Sequence, residues 1–347
     1  MTDAMQALKE YKARIDHALA EFFDSKIREA EAIDSSAVEI MQNLREFNLR
    51  GGKRIRPALM IHAFKCFAEP EDEQNLIRAS LAVELMEGFF LIHDDVLDND
   101  EMRRGGPTLH AKYSNDSGDR HFGEGVAIVA GDMQNSLANE IVAESGSIEF
   151  LKQYHRTALK TEYGWLIESM LTRKHASDVT RDDVMKVNTY KTAAYTIEGP
   201  LHMGALLAGA KEADIKTLSG FAIPLGQAFQ IQDDILGMFG DEKKLGKPVG
   251  SDLKEGKITL LIVKALEKAN DKDKKFLLDA LGRKEISKDD VEKARSIIKE
   301  TGSLDHSKKL AQELIRDAKT ALEKAELRKE GKDFLIGIAD FLISREY

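Results

Sequence analysis

A single cysteine, Cys66, stands in a chain of 347 residues, so no internal disulfide can form. It lies in the apolar run Met60 to Phe67, which predicts a buried, inert thiol. Proline is scarce, with 6 residues, and no stretch shows the sustained alternation of a strand-rich domain. No apolar run approaches the ~20 residues that cross a bilayer, and the start, MTDAMQALKEYKAR, is charged and amphipathic without a signal peptide's apolar centre. The cytoplasm is the expected location. Positive charge is in deficit: 51 Lys and Arg against 60 Asp and Glu leave a formal charge of -9. That argues against a general nucleic-acid surface, because binding a phosphate backbone needs a basic face. An anionic substrate must meet local positive charge or a metal.

What the chain does have is helix-forming composition, 42% hydrophobic and rich in Ala, Leu, Glu and Lys. This predicts an all-α fold with a large core, read as one domain over 1–347. Thr180 with Asp183 and Ser287 with Asp290 have capping-box spacing. The small-residue run Gly204 to Gly209 suits close helix packing. Tyr113 to Gly125 reads as a mobile polar loop, Gly199-Pro200 as a turn or kink, and the glycine- and lysine-rich stretch Gly240 to Lys257 as a flap over a ligand.

The chemistry concentrates in Leu85 to Pro107, LMEGFFLIHDDVLDNDEMRRGGP. At ~3.6 residues per turn Asp94 and Asp98 share a helical face, with Asp95 beside them. Carboxylates crowded this way resist ionising together unless a hard cation such as Mg²⁺ neutralises them. A solvated acidic helix end is the plainer alternative. A second acidic site, Asp233-Asp234 after Phe229-Gln230, adds weight to the metal reading. Lys53, Arg56, Arg103, Arg104, Lys191, Lys247 and Lys257 supply more positive charge than one phosphate needs, which suits two diphosphates. No Ser/His/Asp or Cys/His arrangement, nucleotide loop or zinc spacing competes. The helices bearing the aspartates are rich in Leu, Ile, Val, Phe and Met. Core packing explains one apolar stripe, yet a diphosphate end joined to an apolar tunnel describes an isoprenoid diphosphate.

These stretches resemble a family, the trans-isoprenyl diphosphate synthases of the short-chain type. The matching motifs are GGKRIRP (51–57), HDDVLD (93–98), RRGGPT (103–108), Lys191-Thr192, FQIQDD (229–234) and GKPVGSDLKEGK (246–257), in the family's order. The resemblance implies a bundle of many helices around a deep central cavity, usually a homodimer. It implies that Asp94, Asp98 and Asp233 hold three Mg²⁺ on an allylic diphosphate, with Asp95, Arg103, Lys191, Lys247 and Lys257 assisting. Lys53, Arg56 and Arg104 would bind isopentenyl diphosphate, while Thr192 and Gln230 shelter the allylic cation formed on ionisation.

Three positions depart from the family pattern. Gly237 stands where an Asp is usual, and Asp241 is too far along a helix to replace it. Glu87 stands where a His or Gln is usual near isopentenyl diphosphate, and GWLIE (164–168) puts Trp165 where a Gln is usual, although Glu168 keeps a carboxylate. Phe89 and Phe90, about one turn before Asp94, resemble the bulky floor of farnesyl-forming members. The expected product is therefore C15, with C20 next. Two rivals are an ionisation-initiated terpene cyclase, which leaves Lys53, Arg56 and Arg104 unexplained, and a catalytically silent subunit of a heteromeric synthase.

Overall fold

The structure, a computed structural model, describes residues 3–240, 250–283 and 285–343. Its contacts divide the chain into two compact units. The first comprises residues 1–155, 200–211 and 327–337. It opens with α1 (Asp3–Ala30), α2 (Ser35–Leu49), α3 (Ile55–Lys65) and α4 (Glu73–Asp98). The strands β1 (Met102–Arg103) and β2 (Gly106–Pro107) follow, then α5 (Leu109–Ser117), α6 (Arg120–Glu144) and the first part of α7 (Ile148–Leu171). That two-stranded hairpin is the only sheet among the described residues, so the fold is all-α as composition predicts.

α4 is the spine of this unit. From Leu76 to Ile92 nearly every residue is buried, as a helix apolar on all faces must be. Asp72 caps its start by accepting from the Gln74 N–H at 2.8 Å. Asn99 ends it at φ 56°, a left-handed conformation that its short amide side chain tolerates. α4 runs along α6, and glycine sets how closely. A Cβ on Gly88 would stand 1.7 Å from Gln134 Nε2, and one on Gly131 would stand 2.3 Å from His93 Nε2. Gln134 fills the crossing with hydrogen bonds to Asn48 Oδ1 at 3.1 Å and to the Leu85 carbonyl at 3.0 Å. The small-residue run behaves as expected, since a Cβ on Gly204 would come within 2.0 Å of the Met60 carbonyl oxygen.

Tyr113 to Gly125 is not a loop. α5 stops at Gly118, φ 72°, and α6 restarts at once because Asp119 caps it by accepting from the Phe122 N–H. Polar composition hid a left-handed glycine followed by a capping aspartate.

The second unit comprises residues 156–199, 212–326 and 338–347. Its long helix Glu212–Phe239 packs against Ser303–Glu323 and against Asn188–Glu198, which is wound as a π-helix. Both predicted capping boxes form, at Thr180 with Asp183 and at Ser287 with Asp290. Gly199-Pro200 makes no turn. The helix Gly199–Leu207 continues directly from the π-helix, because a proline in a first turn has no N–H to leave unpaired. Among the described residues no helix is long and apolar enough to cross a membrane.

Candidate active site

In the first unit the end of α4 separates its three aspartates. Asp94 and Asp98 remain partly exposed, one turn apart, whereas Asp95 points inward and is 1% exposed. The hairpin explains the difference. Arg104 at φ 51° and Gly105 at φ 78° form a left-handed pair that folds the chain back and brings Arg103 to the helix. Arg103 Nε donates to Asp95 Oδ1, while its Nη2 lies 3.5 Å from Asp100 and 3.9 Å from Asp94. Burial pushes the Asp95 carboxyl up to about 7, although the charge and hydrogen bond of Arg103 pull it down. Its second oxygen has no hydrogen-bond partner.

The basic residues expected to bind isopentenyl diphosphate gather in the same unit. Arg56 Nη1 and Arg104 Nη2 meet on one oxygen of Glu87, at 2.9 and 3.0 Å, and Lys53 is exposed on the turn before α3. Glu87 is thus placed: it is the shared counter-ion of two guanidiniums. Phe89 and Phe90 are both buried, their rings 4.8 Å apart, and Phe89 also meets the edge of His93 at 4.9 Å.

The second unit presents its own acidic end. Asp233 is exposed and Asp234 buried near the end of Glu212–Phe239. Gln230 donates to Asp234 at 2.7 Å and accepts from the Thr192 hydroxyl at 2.6 Å. Burial holds the Asp234 carboxyl well above its usual range, and the charges of Asp252, Asp233 and Glu168 raise it further against the Gln230 hydrogen bond. Lys191 pairs with Glu168, and a Cβ on Gly164 would reach within 2.1 Å of the Lys191 backbone nitrogen, so glycine there lets the two helices touch. Lys257 pairs with Glu255 at 2.7 Å. Trp165 lies in the same helix as Glu168, within Ile148–Leu171.

Sequence reasoning missed Asp252. Its Oδ2 lies 2.9 Å from where a Cβ on Gly237 would stand, so its carboxylate fills the space that the usual aspartate would occupy. The signal was an acidic residue inside the quoted motif GSDLKEGK. Lys247, Asp241 and half of the expected flap, residues 241–249, lie outside the described residues.

The donor set fits magnesium. Among the described residues no three His, Cys, Asp or Glu side chains converge to cage a metal unaided. Mg²⁺ asks for less, one or two carboxylates, with waters and substrate phosphate oxygens completing its shell. In the first unit the outward Asp94 and Asp98 offer such carboxylates, with the orphan oxygen of Asp95 a further acceptor beside them, and in the second unit Asp233 offers another.

Helix ends of this kind fit an all-α enzyme that acts on diphosphates with metal help. The polyprenyl synthetase family profile matches residues 38–298, well over half of the chain. The chain belongs to that family and is a trans-prenyltransferase. It is 34% identical to a short chain isoprenyl diphosphate synthase of Methanothermobacter thermautotrophicus over 100% of both chains. A geranylfarnesyl diphosphate synthase of Aeropyrum pernix is 33% identical, over 85% of this chain and 91% of its own. The crystal structure of geranylgeranyl pyrophosphate synthase from Corynebacterium glutamicum, complexed with isoprenyl diphosphate and magnesium, superposes with a TM-score of 0.90. It shares 29% identity over 98% of this chain and 99% of its own, and its contents support divalent-metal use by this fold.

Proposed function

We propose that the chain condenses isopentenyl diphosphate with allylic diphosphates, dimethylallyl, geranyl and farnesyl, to an all-trans product, C15 favoured and C20 next. The observation that carries this reading is the sorting of charge in the first unit. Outward carboxylates at Asp94 and Asp98 stand near Arg103, while Arg56 and Arg104 form a separate pair on Glu87. Two groups of cations suit two diphosphates. We read both units as one synthase domain, since the matched residues 38–298 run through both.

As the family resemblance implies, Asp94, Asp98 and Asp233 would hold three Mg²⁺, whose charge would lower the barrier for diphosphate departure from the allylic carbon. Arg103, Lys191 and Lys257, with Lys247, would grip that diphosphate. Arg56, Arg104 and Lys53 would orient isopentenyl diphosphate, so that its double bond attacks the cation and a proton is lost to the departed diphosphate. The Thr192 hydroxyl and Gln230 amide, already hydrogen-bonded to each other, would direct dipoles at the cation. A cytoplasmic homodimer belongs to the proposal; support for a second copy comes from Phe122, Ile128 and Val129, about half exposed along α6.

The C15 preference rests on Phe89 and Phe90, a pair of tilted rings in contact one turn before Asp94. Incubation with isopentenyl diphosphate, each allylic primer and Mg²⁺, followed by sizing of the dephosphorylated alcohols, tests it. The expected outcome is farnesol from the wild type and longer alcohols from Phe90→Ala. A dominant C20 or longer alcohol from the wild type overturns the floor, and no turnover by the isolated chain points to the silent subunit.

A further inference from the structure

Glu87 is the one buried acid among cations that the mechanism asks to receive an anion. It is 8% exposed, and its Oε1 accepts from both Arg56 and Arg104. Two guanidiniums on one oxygen cannot move independently, so their orientations are locked together. Gly52 tightens the arrangement. It sits at φ 105°, and a Cβ there would stand 3.3 Å from Arg104 Nη1 and 3.4 Å from Arg54 Nη1.

The neighbouring cation is fully committed elsewhere. Arg54, itself 2% exposed, pairs with Glu84 one turn earlier on α4, with Asp16 of α1 at 2.6 Å, and with the Asn48 carbonyl at 2.7 Å. The hydrogen bonds of Arg54 thus go to those partners, and it reaches Glu87 only through its charge. Burial alone would raise the Glu87 carboxyl, but Arg56, Arg104 and then Arg54 outweigh it and hold the group below its usual range. Burial and the charge of Glu87 push Glu84 the other way, against Arg54. Of the two carboxyls, Glu87 is the one whose neighbours favour the charged form.

An ionised carboxylate on Arg56 and Arg104 cancels one of the three positive charges that they and Lys53 bring to a diphosphate. It takes one Nη of each planar guanidinium. We propose that Glu87 is a positioning and specificity-determining residue: a built-in counter-anion that holds the two forks together and weakens the site for any diphosphate, isopentenyl diphosphate included. The proposal rests on the reading of Lys53, Arg56 and Arg104 as the isopentenyl diphosphate site.

Binding of inorganic diphosphate to the full chain in a chelator is the primary readout, because it needs neither metal nor turnover. Glu87→Gln and Glu87→Met both remove the charge while keeping much of the side-chain volume, so a folding failure of one leaves the other. In either variant that melts cooperatively, Kd for diphosphate falls about threefold to tenfold. That gain shrinks to less than about twofold in an Arg104→Gln background, since Glu87 acts through that guanidinium. In turnover, KM for isopentenyl diphosphate falls in the same proportion while KM for the allylic substrate moves by less than about twofold. Unchanged or weaker diphosphate binding by the folded variants overturns the proposal. Tighter binding by the variants together with an inactive wild type overturns the isopentenyl reading and leaves the Glu87 assignment standing.

Discussion

Two aspartate pairs, written alike in the sequence, are held in different ways. In each the first member faces outward and the second is buried: Asp94 with Asp95 on α4, Asp233 with Asp234 on the second unit's long helix. Asp95 meets a guanidinium delivered by the hairpin. Among the described residues Asp234 meets an amide, that of Gln230, and three nearby carboxylates raise it further. Burial raises both carboxyls, but only Asp95 has a guanidinium that loses a partner on substitution, so the two answer the same change with opposite signs. The outward members are the metal ligands of the proposed reaction, whereas the inward members show how each unit tolerates an acid beneath its surface.

The largest effect belongs to the outward members. Asp94→Asn and Asp233→Asn should each lower kcat/KM by about 10²–10³, the range for losing one electrostatic contact to a transition state. Thermal midpoints without metal should hardly move, because neither side chain is buried. Steady-state rates and melting curves on the same preparations check this. A loss confined to the first unit would mean that Asp233 carries no metal.

The inward members come next. Asp95→Asn removes the nearest carboxylate from the Arg103 guanidinium, which is only 13% exposed and keeps Asp100 at 3.5 Å and Asp94 at 3.9 Å, so the cost is about 1–3 kcal/mol. Asp234→Asn keeps an acceptor for Gln230 and removes an acid that folding disfavours. The sign follows from linkage. A carboxyl raised in the folded state ionises first in the unfolded chain, so the penalty is absent below the unfolded value near 3.8 and grows as pH rises above it. In a chelator at neutral pH, Asp234→Asn should therefore raise the melting midpoint by at least ~2 °C, and below about pH 3.8 the gain should vanish. Destabilisation by both Asn variants would abolish the distinction between the two pairs.

How much of this was legible depended on the range of each interaction. The spacing of Asp94 and Asp98 is a property of the helix itself and is visible in the letters. The inward turn of Asp95 is not, because it depends on Arg103 arriving from a hairpin whose left-handed Arg104 and Gly105 no periodicity reveals. Glu87 could be singled out from sequence but not placed, since both its partners come from other segments, the start of α3 and the hairpin. The all-α fold followed from composition and helical spacing. The break between α5 and α6 was misread because serine, glycine and charge mark caps as well as loops.

Asp252 sharpens the comparison from the side of the second pair, with the smallest expected effect. Its carboxylate lies against Gly237, the position where the family pattern has an aspartate, and its charge helps hold Asp234 high. Restoring the pattern by Gly237→Asp would not simply add a ligand. A new side chain would start 2.9 Å from Asp252 Oδ2 and bring another carboxylate beside Asp233, Asp234 and Asp252. The expected outcome is a KM for the allylic diphosphate raised about threefold, because like charges at this range repel and the helix cannot yield at one residue. In a Gly237→Asp, Asp252→Asn double variant one carboxylate replaces another, and KM should return to within about twofold of the wild type. Improved turnover by Gly237→Asp alone would mean that Asp252 does not stand in for the missing side chain, and that the second pair has room for an acid that this chain lacks.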